Sequence, residues 1–129
     1  MLFMENEMAK KKIDIETTLL AQIETLKTEL AGLGEIRSGV LSEQYNVCGK
    51  KGCRCKDKEN PRKHGPYFQL SYTWNGRGTS EFVKAPNLDA VRQQMADYKR
   101  FGEIKDEWTG ASIELARLRR ERIKAAKSK

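Results

Sequence analysis

Seventeen consecutive residues, Cys48 to His64, constrain this chain more than any other feature. They hold all three of its cysteines and its only histidine. The stretch reads C-G-K-K-G-C-R-C-K-D-K-E-N-P-R-K-H, with four residues between Cys48 and Cys53, one between Cys53 and Cys55, and eight between Cys55 and His64. Zn²⁺ takes thiolate sulfur and imidazole nitrogen in a tetrahedron, and three cysteines with one histidine make an accepted structural set. Gly49 and Gly52 supply the backbone freedom a chain needs to fold back on an ion. Lys50, Lys51, Arg54 and Lys56 favour the thiolate form and offset the charge of a three-thiolate site. The competing reading is plain: three ordinary buried or free thiols, with His64 a loop residue before Gly65-Pro66. The pattern of C-x4-C and C-x-C in one basic loop favours metal. For the fourth position, His64 competes with Asp57, Glu59, water or a second chain.

The rest of the sequence is lean in core material. Hydrophobic residues make up 38% and charged residues 33% of 129 positions. One small domain with helical extensions is expected, helped by a metal or a partner chain. An odd cysteine count and a Met-Leu-Phe-Met start too short for a signal peptide argue against a secreted disulfide scaffold. No apolar run approaches the roughly 20 residues of a membrane span. A cytoplasmic location is expected.

The net charge of +7 is unevenly spread. Residues 1–36 carry four basic and seven acidic side chains, whereas 46–66 carry seven basic and two acidic, and 113–129 repeat that excess. Clustered cations of this kind are the footprint of a polyanion-binding surface. A solvated solubility tail is the bland reading of 113–129.

The order of elements points to an α+β fold. Residues 1–12 read as a polar, disordered N-terminus. A helix over 13–36, capped by Asp14, carries Leu19, Ile23, Leu26, Leu30 and Leu33 at alternating spacings of 4 and 3, a coiled-coil-like seam. That seam suits packing within the chain or pairing with a second chain equally. Residues 37–86 form a module of three antiparallel strands: Val40–Val47, Tyr67–Trp74 and Thr79–Lys84. The metal loop joins the first two, and Asn75-Gly76-Arg77-Gly78 turns between the last two. From Asn87 as cap, Leu88, Val91, Met95, Tyr98 and Phe101 give a helix whose apolar face covers the sheet. It continues more weakly through Ile104 and Trp108, with a kink at Thr109-Gly110, into a basic segment ending near 127.

The block G-V-L-S-E-Q-Y-N-V-C-G-K-K-G-C-R-C, followed by H-G-P-Y-F-Q-L-S, a glycine turn and V-K-A-P, resembles an uncharacterised family of small bacterial proteins. Its pattern is C-G-K-x-G-C-x-C, then H-G-P-Y, a hairpin, and a helix rich in Leu and Arg. The similarity spans roughly residues 28–122. Such proteins are often encoded beside transposases and other mobile-element genes. The resemblance implies that Cys48, Cys53, Cys55 and His64 occupy motif positions in a nucleic-acid setting, and it implies no activity. The insert Asp57–Lys63 before the histidine is longer here.

No enzyme constellation stands out. Gly49-Lys50-Lys51-Gly52 lacks the strand–loop–helix context of a phosphate loop, and paired carboxylates do not converge. A nucleophilic cysteine with His64 would leave two thiols unused. The expected function is therefore a zinc-stabilised nucleic-acid-binding accessory protein, with DNA ahead of RNA. Lys50, Lys51, Arg54, Lys56, Arg62 and Lys63 would meet phosphates. Tyr67, Trp74 and Arg77 would add stacking or groove contacts. Arg117, Arg119, Arg120, Arg122 and Lys124 would extend the track. The alternative is an adaptor that docks on a larger nucleic-acid enzyme, or on itself, through Leu19, Ile23, Leu26 and Leu30. In that case the zinc loop is purely structural. A redox-sensing thiol protein is a third class.

Overall fold

The computed structural model describes residues 2–127. Helix α1 spans Leu2–Gly32, strands β1, β2 and β3 span Val40–Asn46, His64–Trp74 and Arg77–Val83, and helix α2 spans Ala85–Lys127. A three-residue 3₁₀ turn, Arg54–Lys56, lies in the loop between β1 and β2. The chain divides into two compact units. One consists of 1–34 with 99–129, and the other of 35–98.

The helical unit is a pair of antiparallel helix segments closed by a seam. Ile23 of α1 packs with Ala111 and Leu115 of α2, flanked by Leu19 and Trp108. Leu26, Ile104 and Leu118 are also buried. On α2 the seam therefore runs Ile104, Trp108, Ala111, Leu115, Leu118, with spacings of 4 and 3 that match those of α1. Of the Leu19–Leu33 stripe, Leu19 and Ile23 are thus engaged inside the chain, and Leu26 is buried. Ion pairs cross the same two segments: Arg100 reaches Glu29 at 2.6 Å, Arg122 reaches the buried Glu16 at 3.2 Å, and Lys12 reaches Glu121 at 3.8 Å.

Three expectations fail in this unit. Described residues 2–12, expected to be disordered, continue α1 toward the N-terminus, because Glu, Lys, Met and Ala are good helix formers and neither Gly nor Pro interrupts them. Met1 lies outside the described residues. Asp14 is consequently no cap but an interior residue, whose carbonyl accepts the Thr18 hydroxyl. Nor does α2 break at Thr109-Gly110: Thr109 Oγ1 donates to the Lys105 carbonyl within a continuous helix, and the glycine is an ordinary helical residue. Helix α1 does end at Gly32, as the glycine pair predicts.

In the second unit the three strands pair antiparallel in the order β1-β2-β3. Asn75 (φ 50°) and Gly76 (φ 76°) alone form the β2–β3 turn, so Trp74 faces Arg77 directly. Positive φ at both positions is the two-residue hairpin geometry that Asn-Gly favours. One face of the sheet carries Leu41, Phe68, Leu70, Tyr72 and Val83, which pack with Leu88, Val91 and Met95 of α2. Leu70 is fully buried at the centre. Tyr98 and Phe101, expected on this face, are 43% and 37% exposed instead and are not among the residues packed against the sheet core; Phe101 belongs to the helical unit. The helix starts at Ala85, so Asn87 sits in its first turn, its N–H donating to the Lys84 carbonyl rather than its side chain capping.

Candidate metal centre and cationic loop

Strand β1 delivers the chain to Cys48, and β2 begins on His64, so the sheet itself fixes the two ends of the loop. Asn46 is in register with His64 across an irregularity between Gln44 and Asn46. Gly65 makes that junction fit. It adopts φ 140°, and a Cβ there would lie 2.7 Å from the Gln44 carbonyl oxygen and 2.9 Å from Tyr45 Cδ1. Only glycine lets β2 approach β1 this closely beside the histidine, which is the physical content of the H-G-P-Y sequence.

Between those ends the loop curls inward. Gly52 takes φ 78°, Cys53 precedes the 3₁₀ turn, and Lys56 N–H donates to the Cys53 carbonyl at 3.0 Å. The Asp57–Lys63 insert is tied back by Arg62 N–H, which donates to the Arg54 carbonyl at 3.0 Å. The result brings Cys48, Cys53, Cys55 and His64 together, with all four candidate ligand atoms within 4.8 Å of one another. The Cys48 and Cys55 sulfurs are 3.6 Å apart, and Cys53 Sγ lies 3.1 Å from His64 Nε2. A disulfide needs about 2.05 Å, whereas metal–sulfur bonds of about 2.3 Å in a tetrahedron put sulfurs roughly 3.8 Å apart. The four side chains can hold a metal ion. Asp57 and Glu59, the rival fourth ligands, stand outside the group: the Asp57 carboxylate accepts the Glu59 N–H at 3.1 Å.

The electrostatics around the sulfurs differ. Hydrogen bonding, first from the Cys55 backbone and then from the neighbouring thiols and His64, lowers the Cys53 thiol to about 6. Cys55 is 3% exposed, and burial pushes its thiol up. Cys48 N–H also points at Cys55 Sγ, at 3.4 Å. A bound cation would replace the missing solvation of that sulfur, and thiolates are the form a metal binds.

Around this centre Lys50, Lys51, Arg54, Lys56, Arg62 and Lys63 are all exposed. Arg54 and Arg62 line, with Gly52, Cys53 and His64, a depression of about 490 Å³ on the open side of the loop. The remaining residues expected at the site are scattered. Tyr67 is three residues into β2, next to the loop, while Trp74 and Arg77 form the opposite end of the hairpin. At about 3.3 Å per residue, Trp74 stands roughly 23 Å along the strand from Tyr67. The tail cations belong to the other unit. There Arg117 is held by Glu114 and Glu121, and Arg122 by Glu16, so neither is an uncommitted phosphate donor. Arg119, Arg120 and Lys124 are exposed on α2.

Residues 16–93 match the profile of a domain of unknown function, DUF6788. The chain belongs to that family. The DUF6788 segment includes all four candidate metal ligands, the three strands and the start of α2. No curated protein and no solved structure matches the chain. Among the described residues no helix is long and apolar enough to cross a membrane.

An exposed aromatic residue outside the expected set stands on the same sheet. Phe82 is 66% exposed at the second-last position of β3, in register with Gln69. The signal was available. A two-residue turn at Asn75-Gly76 places Phe82 on the same sheet face as Tyr67, away from α2.

Proposed function

We propose that this chain is a zinc-stabilised nucleic-acid-binding module, acting as an accessory to larger nucleic-acid chemistry such as that of a mobile element. The observation that carries the reading is the gathering of four ligand atoms within 4.8 Å at the root of a loop with seven exposed cations. Zinc suits the donor set, being the metal that most often takes three thiolates and an imidazole in a closed structural site. With all four positions filled by protein, the ion would leave no open coordination site for a substrate. Its contribution is shape: it would hold Lys50, Lys51, Arg54, Lys56, Arg62 and Lys63 in place, so that less conformational entropy is lost when they meet phosphates.

The adaptor reading uses the seam together with the basic helix, and the packing of Ile23 against Ala111 and Leu115 makes it the weaker of the two. The test is a salt titration of binding to labelled DNA and RNA 20-mers. Six phosphate contacts would give a slope of log K against log salt of about −4 to −5. Replacing Lys50, Lys51 and Arg54 by Glu should abolish binding. Absence of binding to both nucleic acids at low salt would refute the proposal.

A further inference from the structure

The sheet has a second face, and its composition is unusual. Register places Tyr67, Gln69, Ser71 and Thr73 of β2 on the side away from α2, with Phe82 and Ser80 of β3 opposite Gln69 and Ser71. On β1, Ser42 and Gln44 face Gln69 and Tyr67. Both acidic residues of the three strands, Glu43 and Glu81, fall on the other face by alternation, in register with Phe68 and Leu70. The open face is therefore free of carboxylates. It presents two aromatic rings, with Tyr67 43% and Phe82 66% exposed, among side-chain amides and hydroxyls.

The two rings occupy diagonal positions on adjacent strands, since Phe82 pairs with Gln69, two residues beyond Tyr67. Such positions are about 7–8 Å apart. Between and beside them, Gln44 Nε2 donates to Gln69 Oε1 at 2.5 Å, and the Ser71 and Ser80 hydroxyls bond each other at 3.0 Å. Tyr67 lies three residues from His64, so the rings stand at the end of the sheet from which the cationic loop projects.

A phenylalanine 66% exposed near the open end of the hairpin, on the face away from α2, has no packing role to explain it. Exposed rings on an antiparallel sheet stack unpaired bases, and neighbouring amides and hydroxyls hydrogen-bond base edges. Bases in a duplex are already stacked and cannot reach such a face. Resting on the nucleic-acid reading above, we propose that the ligand is single-stranded, with bases stacked on Tyr67 and Phe82 while its phosphates run onto the Lys50–Lys63 loop. Charge complementarity selects this occupant: a carboxylate-free aromatic face bordered by a loop with seven exposed cations suits a flexible polyanion with exposed π-faces.

The experiment uses the full-length metal-loaded protein and fluorescence anisotropy with three mixed-sequence probes of equal length: single-stranded RNA, single-stranded DNA and duplex DNA. Both single strands should bind at least tenfold more tightly than the duplex. Phe82→Ala and Tyr67→Ala should each weaken single-strand binding roughly tenfold or more while leaving duplex binding unchanged, and Phe82→Trp should restore it. Thermal melts of the variants control for folding, and the exposure of Phe82 predicts an unchanged transition. A preference of RNA over DNA would identify which strand is the natural source. Equal binding of duplex and single strands, insensitive to Phe82→Ala, would overturn this inference and leave the nucleic-acid proposal standing. No binding to any probe would overturn both.

Discussion

The two units stabilise a chain poor in hydrophobic residues by different means. The helical unit repeats one solution along its length: small and aliphatic residues at alternating spacings of 4 and 3, flanked by cross-helix ion pairs such as Arg100 with Glu29. Its stability is spread over many modest contacts. The sheet unit concentrates its stability. One face of three short strands packs on Leu88, Val91 and Met95, and the loop gathers four candidate metal ligands within 4.8 Å. A distributed seam tolerates the loss of a residue, whereas a concentrated site fails when one ligand goes. The same contrast separates charge from function. In the helical unit Arg117 and Arg122 are consumed by ion pairs, while around the metal centre the cations stand exposed.

The largest expected effect breaks the sheet unit alone. Cys55→Ser should lose stoichiometric metal and lower the melting temperature of the sheet unit by roughly 10 °C or more, because a structural metal's binding free energy is folding free energy. Far-UV circular dichroism should retain most of its helical signal. Loss of both signals together would show that the two units do not differ in this way. Next come the cores. Leu70→Ala, at a fully buried position, should cost about 2–5 kcal/mol. Ile104→Ala, buried in the helical seam, should fall in the lower half of that range, because a two-helix seam relaxes more readily around a cavity. Denaturant melts of the two variants check the order.

Smaller still is Arg122→Ala, which removes the ion partner of Glu16 and should cost about 1 kcal/mol. Glu16→Leu should be neutral or stabilising, since an apolar residue suits a seam position better than a nearly buried carboxylate. The smallest effect concerns Glu114. The hydrogen bond from Arg117 holds its carboxyl below the ordinary 4.5, so the pair's contribution is complete above that pH and disappears as pH falls through the lowered value. Arg117→Ala should raise the Glu114 titration toward the ordinary value in a carbon-detected NMR titration, with little change in melting temperature.

The centre was legible because its chemistry is contiguous in sequence: ligands that share one loop need no tertiary information to be found. The strands were legible through their alternation, and the hairpin through Asn75-Gly76. What the sequence concealed depended on partners. Ala111 is a seam residue whose small side chain gives no periodic signal, whereas Tyr98 and Phe101 gave a strong one and remain partly exposed. Phe82 was legible by alternation but passed over; the two-residue turn settles only that its partner is Gln69. The N-terminal lysines suggested disorder by composition, but the segment contains no residue that opposes a helix, and it extends α1.

The central claim is that one ion shapes the cationic loop, and the most direct measurement is metal content with native mass on purified wild-type protein. The account predicts one zinc per chain, released by a chelator together with the ordered loop signals in an NMR spectrum. Protein that contains no metal yet keeps those signals would contradict it.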